Sequence, residues 1–364
     1  MNEKPIRILH VVTYMGRGGL ETMIMNYYRN VDRRKVQFDF LVHREKEADY
    51  DKEIQELGGR IYRLPRLNPW SKGYLNQLDH FFKEHQEYRI VHSHLDCMAG
   101  IPLKYAKKYG VPVRIAHSHN SNQTKDFKYL LKLIYKKNIP RNATHLFACG
   151  KDAGDWMFGT NSYQILYNAI DAKRFSYNRE KSIYVKNKLG LNGKFVIGHV
   201  GRFAPQKNHE YLIDIFYEVQ RREDNSILLL IGKGELYPKI KDKVKKLGLE
   251  GKVRFMGQQS QIAALMQGMD AFVFPSIYEG LPVTMIEAQA AGLPCFISNQ
   301  VPIECKKTNL VTQIPLESGA KTWAEEILKK KAYEKEDTYE QIVKAHFDIK
   351  ENARWLQEYY ESLV

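Results

Sequence analysis

Two glutamates, Glu279 and Glu287, lie eight positions apart in the segment PSIYEGLPVTMIEA, residues 275–288. A strand-like run leads into this segment, and Pro282 lies where a helix can begin. Glu287 would then lie about one turn inside the helix, close to backbone amides that favour phosphates. A carboxylate there accepts two hydroxyl donors well. The spacing predicts a nucleotide site with Glu287 near a ribose diol, although each glutamate taken singly is better explained by an ordinary helix or loop position.

Two cations, Arg202 and Lys207, lie five positions apart in the segment GRFAPQKN, residues 201–208, which again joins a strand to a helix. In doubly wound folds, ligands bind beyond the carboxyl ends of the strands. The forked guanidinium of arginine and the point charge of lysine can clamp a diphosphate there. Solvation at the surface explains most such pairs, but the position at a strand end favours binding.

Three glycines, Gly16, Gly18 and Gly19, follow the first predicted strand and precede a predicted helix. Glycine at such a place lets the backbone approach a phosphate or a sugar closely. The loop is not the dinucleotide-binding fingerprint, because Glu21 stands where the third glycine is required. A tight turn without a ligand is nearly as good an explanation.

The elements that would position these residues alternate between strand and helix along the chain. Strands are predicted at 6–13, 38–43, 60–64, 90–94, 113–117 and 145–149, and then at 195–200, 227–231, 253–256, 271–274 and 295–298. Helices are predicted at 19–28, 50–57, 104–109 and 128–137, and then at 209–221, 262–269 and 283–291. The first strand is apolar on both faces, as in a parallel sheet covered by helices on each side.

This alternation predicts an α/β fold with two tandem Rossmann-like, doubly wound domains. The domains are expected at residues 1–170 and 171–344, with a linker near residues 168–190. A charged helical tail at about 345–364 is expected to pack back on the first domain. Its aromatic residues at helical spacing, Trp355, Tyr359 and Tyr360, would make that contact.

Composition limits the class of protein. The 364 residues are 43% hydrophobic and 27% charged, which is typical of a globular protein and excludes global disorder. The four cysteines lie far apart, which argues against a disulfide framework or a zinc ribbon and for a reducing compartment. Residues 1–7 are charged and lead into a strand, so no secretory signal is expected. A cytoplasmic location follows as the expectation.

The net charge of +14 is concentrated in part of the first domain. Residues 104–141 contain one acid, Asp126, and ten basic residues: Lys104, Lys107, Lys108, Arg114, Lys125, Lys128, Lys132, Lys136, Lys137 and Arg141. Such a cluster suits an anionic partner, which could be a membrane surface, a phospholipid-linked substrate or nucleic acid. A solvated helix face is the commoner explanation. The chain has no recognised RNA or DNA module, so no nucleic-acid partner is expected.

Taken together, the glycine loop, Gly-Arg followed by lysine, and Glu-Gly-Leu-Pro with a second glutamate resemble the retaining glycosyltransferases of family four. The resemblance spans nearly the whole chain, is most specific at residues 279–295, and is closest to bacterial enzymes of exopolysaccharide and capsule assembly. It implies the GT-B fold, in which an acceptor-side domain and a nucleotide-sugar-binding domain face a central cleft. It also implies hexosyl transfer from a nucleotide sugar, with UDP favoured, to a glycan or polyprenyl-diphosphate-linked acceptor. Peripheral contact with an anionic membrane would fit the basic segment.

The resemblance also implies a role for individual residues. The donor-binding set would be Gly18, Gly19, Arg202, Lys207, Glu279, Gly280, Leu281, Val283 and Glu287. The glycines would approach the donor, the two cations would hold its diphosphate, and the glutamates would contact the transferred sugar and the ribose. The catalytic set would be His117, Arg202, Lys207 and Glu279. His117 would lie beside the reacting sugar, and His92, His94 and His119 compete for that role, since a lone strand-end histidine is more often structural.

The family's chemistry requires positive charge at the departing diphosphate more than a general base. No metal cofactor is expected, because the DxD spelling at Asp49-Tyr50-Asp51 lies at a predicted helix start, where acids are common. Two alternatives stay open within related folds. One is a non-catalytic partner that stabilises another glycosyltransferase, and the other is a sugar-nucleotide epimerase. A nucleic-acid-binding protein ranks last because only charge suggests it.

Overall fold

The computed structural model describes residues 4–120 and 129–364. The chain divides into two compact units. Unit 1 comprises Met1–Ala169 together with Ile349–Val364, and unit 2 comprises Ile170–Asp348.

Unit 1 is built on a parallel sheet of seven strands in the order β3-β2-β1-β4-β5-β6-β7. The strands are β1 (Ile6–Val12), β2 (Val36–Val42), β3 (Ile61–Arg63), β4 (Ile90–Ser93), β5 (Val113–Ser118), β6 (His145–Ala148) and β7 (Gln164–Ile165). The helices are α1 (Gly19–Asn30), α2 (Asp51–Glu56), α3 (Lys72–Glu84), α4 (Gly100–Lys108), α5 (Tyr129–Lys137), α6 (Ile139–Asn142), α7 (Lys151–Phe158) and, at the far end of the chain, α16 (Ile349–Ser362).

Both faces of the unit 1 sheet are covered. Alternate side chains of β1, Ile8 and Val12, belong to the core shared with α1 and α16. The intervening Leu9 and Val11 belong to the core shared with α3, α4 and α7. This explains why β1 is apolar at nearly every position, because period-two alternation is lost when helices cover both faces.

Unit 2 repeats the plan with six parallel strands in the order β10-β9-β8-β11-β12-β13. The strands are β8 (Phe195–Val200), β9 (Ser226–Ile231), β10 (Val253–Gly257), β11 (Ala271–Phe274), β12 (Cys295–Ser298) and β13 (Val311–Ile314). The helices are α8 (Ala172–Phe175), α9 (Arg179–Lys188), α10 (His209–Gln220), α11 (Tyr237–Lys246), α12 (Ile262–Gln267), α13 (Val283–Ala290), α14 (Gly319–Leu328) and α15 (Tyr339–Lys344). The predicted class of two doubly wound α/β domains is confirmed.

The predicted linker at 168–190 is too long: the chain passes from unit 1 to unit 2 between Ala169 and Ile170, and α8 and α9 occupy most of the remaining residues. The side chain of Asn178 accepts from the amide of Lys181 and caps α9. The amide side chain of Gln267, in α12, donates to the carbonyl oxygens of Phe175 and Ser176. These bonds tie the segment to unit 2 as part of its core, so it does not serve as a connection between domains.

The sequence did not predict the helices α3, α6, α7, α8, α9 and α11 or the edge strands β7 and β13. Helix α3 nevertheless has a clear signal: Ser71 caps it by accepting from the amide of Tyr74. Tyr74, Leu78 and Phe82 follow at four-residue intervals and are all buried. The two strands have only two and four residues, which is too short for a periodic pattern.

The basic segment 104–141 is described only in part, because residues 121–128, with Lys125, Asp126 and Lys128, lie outside the described residues. Within α4, Lys108 pairs with Asp79 at 2.6 Å, and Lys107 donates to the carbonyl oxygen of Arg141. Across residues 4–120 and 129–364, no helix combines the length and the apolar composition that crossing a bilayer requires.

Candidate active site

Three of the predicted site loops follow strands that lie where the strand order of a sheet reverses. The chain winds outward from β1 through β2 to β3 and then restarts on the other side of β1 with β4, and β8 and β11 repeat this arrangement in unit 2. Loops at the carboxyl ends of such a pair of strands diverge and leave a crevice for ligands. The glycine loop follows β1, the segment 201–208 follows β8, and the Glu-Gly loop follows β11.

In unit 2 the loops after β8 and β11 are held together by charge. The Nζ atom of Lys207 lies 2.6 Å from Oε1 of Glu279, with side-chain exposures of 17% and 7%. Gln206 donates to the other carboxylate oxygen at 3.2 Å and to the carbonyl oxygen of Tyr278 at 2.9 Å. A buried pair of this kind requires good geometry and extra hydrogen bonds to offset desolvation, and both are present. Lys207 and Glu279, which the sequence suggested as separate site residues, thus form one ion pair.

The ammonium group of Lys207 is also placed over an aromatic ring. Its Nζ lies 4.6 Å from the centroid of Phe274, the last residue of β11. A cation over a ring face is attracted by the ring's quadrupole, most strongly where water is excluded. The next residue, Asn208, has a left-handed backbone (φ 54°) that turns the chain into α10. The carboxylate of Glu279, the ring of Phe274 and the turn at Asn208 therefore together orient the side chain of Lys207.

Arg202 is placed differently. Its side chain is 73% exposed, and Nη2 lies 3.0 Å from Oε2 of Glu235, which is itself half exposed. The structure therefore does not bring Arg202 into the Lys207–Glu279 pair. An exposed ion pair contributes little, so the guanidinium can be released to a stronger anion at small cost.

Glu287 lies in α13, one turn beyond its start, as the sequence predicted. Burial raises the pKa of its carboxyl to about 7, and the nearby Arg174 opposes that shift. Within the described residues, no hydrogen bond or ion pair engages this carboxylate. Pro282 occupies the N-cap and offers no side-chain cap, so the first amides of α13 are also uncapped by a side chain. The helix start therefore combines free donors with a free acceptor.

The remaining predicted donor residues line the same loop. Gly280 is exposed, and a Cβ built on it would meet nothing within 4 Å. Leu281 and Val283 are half-buried, on either side of Pro282. The Glu-Gly loop and the helix start thus lie together, between the end of β11 and the first turn of α13.

The two glycines at the start of α1 have different surroundings. A Cβ on Gly18 would meet the carboxylate of Glu21, the far end of a flexible side chain that can move aside. Burial raises the pKa of that Glu21 carboxyl. A Cβ on Gly19 would meet nothing within 4 Å. Packing inside unit 1 therefore requires glycine at neither position.

His117 lies in β5 and is buried. Its Nδ1 is 3.2 Å from Nε2 of His92, and its Nε2 has no partner among the described residues. His92 in turn lies 2.7 Å from the hydroxyl of Tyr360 in α16. His92, which the sequence left as a competitor for the sugar contact, thus has Tyr360 at one ring nitrogen and His117 at the other.

A second chain of histidines lies beside the first. His94 contacts His10 at 3.0 Å through one ring nitrogen and His119 at 2.9 Å through the other. Burial lowers the pKa of His10 and of His119 to about 3, and it lowers the pKa of His94 well below its usual value. The rings are therefore neutral at physiological pH. The sequence His-Ser-His on two adjacent strands already indicated that these histidines cluster, because alternate residues of a strand share one face.

Two sets of three histidines bring ring nitrogens within 4.8 Å of one another: His10, His92 and His94, and His94, His117 and His119. Neutral imidazoles are good metal ligands, but most of these nitrogens are engaged in contacts of 2.9–3.2 Å with another histidine. At the DxD spelling, Asp51 pairs with Arg63 and accepts from the amide of Ala48. Its carboxylate thus has structural partners.

The sequence matches two protein-family models, "Glycosyltransferase Family 4" over residues 17–174 and "Glycosyl transferases group 1" over residues 183–352. It is 37% identical to EpsF of Bacillus subtilis, which is named a glycosyltransferase, over 99% of this chain and 97% of that protein. It is 24% identical to the capsular polysaccharide biosynthesis glycosyltransferase CapH of Staphylococcus aureus, over 98% and 99% of the two chains.

Two further comparisons concern proteins whose descriptions state a ligand or substrate. An Escherichia coli UDP-Gal:alpha-D-GlcNAc-diphosphoundecaprenol alpha-1,3-galactosyltransferase is 28% identical over 59% of this chain and 58% of that protein. The crystal structure of Anabaena HepE in complex with UDP superimposes with a TM-score of 0.81, 17% identity and coverage of 98% and 100%. The structural likeness concerns the fold alone.

Proposed function

This chain belongs to the glycosyltransferases of family four and has their GT-B fold, and on that premise we propose that it moves a hexose from a UDP-sugar to a surface-polysaccharide intermediate with retention of configuration. The observation that carries the proposal is the Lys207–Glu279 pair at the carboxyl ends of β8 and β11. A carboxylate and an ammonium fixed together beside an uncapped helix start suit a substrate that is a sugar on one side and a diphosphate on the other.

The donor would be bound through both of its halves. The amides of α13, together with Lys207 and Arg202, would hold the diphosphate. Glu287 would accept both ribose hydroxyls, for which its free carboxylate is available. Glu279 would contact the transferred sugar, and Gly280, Leu281 and Val283 would line the donor. UDP is supported by the HepE complex and by the donor named for the E. coli galactosyltransferase.

In the reaction, the bond between the anomeric carbon and the diphosphate oxygen breaks, and an acceptor oxygen bonds to the same face of that carbon. The acceptor's proton passes to an oxygen of the departing phosphate, so no side chain of the protein has to act as a base. Lys207 and Arg202 stabilise the charge that develops on the leaving group. From unit 1, Gly18 and Gly19 would approach the donor and His117 would contact the sugar. No metal takes part in the proposed step.

The acceptor would be a glycan or polyprenyl-diphosphate-linked intermediate. The lipid diphosphate named for the E. coli relative and the capsular role named for CapH support this class. The basic segment 104–141 would contact an anionic membrane on its cytoplasmic face. Vesicles with and without anionic lipid test that contact: binding should require the anionic lipid and weaken as salt rises, and salt-independent binding would contradict it.

The proposal is tested by a thermal-shift screen of nucleotide sugars, followed by product analysis. A true donor raises the melting temperature by mass action, and UDP-hexoses should do so at lower concentrations than other nucleotide sugars. The product's anomeric configuration should match the donor's. Isomerised donor formed without any acceptor would indicate an epimerase instead, and binding without turnover would indicate a non-catalytic partner.

A further inference from the structure

The histidine that the proposed function places beside the sugar is the end of a hydrogen-bonded series that begins in the last helix. Tyr360 Oη lies 2.7 Å from His92 Nδ1, and His92 Nε2 lies 3.2 Å from His117 Nδ1. All three side chains are buried, with exposures of 0%, 1% and 1%. His117 Nε2 has no partner within the described residues.

The direction of this series can be worked out from the proton count. Burial holds both histidines neutral by lowering their pKa, and it holds the phenol neutral by raising the pKa of Tyr360. Each neutral imidazole has one N–H donor and one acceptor nitrogen. The two hydrogen bonds can therefore run in only two ways, either away from Tyr360 or toward it.

If the bonds ran toward Tyr360, its hydroxyl would accept from His92 and its own hydrogen would need another acceptor. Among the described residues, no second hydrogen bond involves this hydroxyl. A buried donor without an acceptor is strongly unfavourable, whereas an unused lone pair on an oxygen costs much less. The hydroxyl of Tyr360 therefore donates to Nδ1 of His92.

The hydrogen bond donated by Tyr360 determines which nitrogen carries the proton on both histidines. His92 must carry its proton on Nε2 and donate to Nδ1 of His117, so His117 carries its own proton on Nε2. We propose that Tyr360 and His92 are positioning residues that fix the tautomer of His117, so that its free Nε2 presents an N–H donor. This inference rests on the proposed function only for the donor's target, an oxygen of the transferred sugar.

The neighbouring series His10–His94–His119 serves as an internal contrast. It has the same N···N spacing, 3.0 Å and 2.9 Å, but no described hydroxyl bonds to either end. Its end nitrogens, His10 Nε2 and His119 Nδ1, are both without partners. No described group determines which way the hydrogen bonds of this second series run. Of the two series, the tautomers are therefore fixed only in the one that Tyr360 begins.

The tautomers can be read directly in the full-length, unliganded protein labelled with ¹⁵N-histidine. Two-bond ¹H–¹⁵N correlation spectra distinguish Nε2–H from Nδ1–H rings, and the H117Q variant identifies the His117 signals. The expected wild-type result is Nε2–H at both His92 and His117. A proton on Nδ1 of His117 would overturn the proposal, and so would signals that move on addition of Zn²⁺, since those would indicate a metal site instead. This measurement needs no activity and no folded variant of Tyr360.

The Y360F variant keeps the ring and removes the hydroxyl. Y27F is the matched control, because Tyr27 lies in the same core and its hydroxyl donates to the carbonyl oxygen of Tyr167 at 2.7 Å. Both variants should lose similar thermal stability. Only Y360F should give mixed tautomers at His117 and lower kcat about tenfold, with the donor KM little changed.

The two variants separate this proposal from the proposed function. If Y360F keeps a pure Nε2–H ring at His117, the role of Tyr360 is wrong whatever the activity. If the tautomers become mixed and kcat is unchanged, Tyr360 does fix the tautomer, and what fails is the placing of His117 beside the sugar.

Discussion

The two units have the same strand order around their first strand, yet they place opposite chemistry at the carboxyl ends of their sheets. Unit 1 presents buried, neutral imidazoles joined to one another, with His117 at the end of one series. Unit 2 presents charge: the buried Lys207–Glu279 pair, the exposed Arg202 and the free carboxylate of Glu287. One architecture thus provides a place for a ligand, and the side chains alone decide what it can bind.

This difference matches the two parts of the proposed substrate. Neutral donors and acceptors suit sugar hydroxyls, which carry no charge, and fixed cations suit a diphosphate that gains charge as it leaves. The comparison makes quantitative predictions, because changes to the charged unit should act mainly through electrostatics and pH, and changes to the neutral unit should not.

The largest effect is expected for Lys207→Ala. Loss of one charged group that stabilises a leaving group typically lowers kcat by about 10²–10³-fold. The same change leaves the Glu279 carboxylate buried without its cation, so the free energy of unfolding should fall by about 3 kcal/mol. Steady-state kinetics and denaturant unfolding measure the two effects. The double variant K207A/E279Q should regain stability and remain inactive.

The control for that variant is Lys186→Ala, in the same unit. Lys186 holds Asp270 at 2.6 Å and 2.8 Å, and both side chains are partly buried. This change should lower stability without lowering kcat. Equal loss of activity in K186A and K207A would mean that the pair in the candidate site has only a structural role.

Glu287→Gln should have the next largest effect, with opposite signs for binding and stability. Loss of charged hydrogen bonds to the ribose should weaken UDP binding about 10–100-fold, by calorimetry. The pKa of the Glu287 carboxyl is raised from 4.5 to about 7 in the folded protein, so the folded state binds more protons than the unfolded state between those values. Wild-type stability should therefore fall as pH rises from 4.5 to 7.

The glutamine variant lacks that carboxyl and should lose this pH dependence. At pH 8 it should be more stable than the wild type, by up to about 3 kcal/mol. Melting temperatures at pH 5, 6, 7 and 8 measure the difference. Parallel stability curves for the two proteins would show that the carboxyl is not perturbed, and unchanged UDP affinity would remove the ribose assignment.

His117→Gln should have a smaller effect that does not depend on pH. Burial lowers the pKa of His117 well below its usual value, so the ring stays neutral throughout the assay range. We expect kcat to fall about tenfold and by the same factor from pH 5.5 to pH 8. His80→Gln, on the exposed side of α3, is the control and should change nothing. A decrease confined to one side of pH 6.5 would mean that His117 titrates and that the two units are less different than proposed.

Gly19→Ala should have the smallest effect. A Cβ at this position meets open space, and alanine favours a helix over glycine by about 1 kcal/mol, so the fold should be unchanged or slightly more stable. If the donor approaches this backbone, its KM should rise about threefold, which is a loss of under 1 kcal/mol. Gly18→Ala is the comparison variant, since its Cβ must displace the carboxylate end of the flexible Glu21 side chain and should therefore change stability only slightly. An unchanged donor KM in G19A would leave the loop as a simple turn.

Much of this arrangement could be predicted from the sequence because it is local. Ile6–Val12 is mostly apolar, Ala271–Phe274 is an apolar run, Pro282 marks a helix start, and Glu287 follows about one turn later. Strand order also follows from alternating strands and helices once the class is recognised. Helix α3 was missed although its cap and its four-residue apolar spacing were present.

What could not be predicted depends on residues far apart in the chain. Lys207 and Glu279 are 72 positions apart, and His92 and Tyr360 are 268 positions apart. Neither contact leaves a trace in spacing, because each arises only when elements distant in sequence pack together: β8 beside β11 in one case, and α16 against the sheet of unit 1 in the other. Arg202 illustrates the opposite case: its motif predicted a diphosphate contact, while the folded chain pairs it with Glu235.

Helix α16 completes unit 1 although it is made after unit 2. The ribosome releases the seven strands of that unit first and must then translate Ile170–Asp348 before this helix exists. At the usual rate of about 5–20 residues per second, that takes roughly 10–40 s. During this interval the nascent sheet lacks Leu356 and Tyr360 from its core, and His92 lacks its hydroxyl. Translation beyond the second unit therefore decides when the first one can finish folding, and a gene fragment that stops at residue 169 would encode a sheet with one face only partly covered.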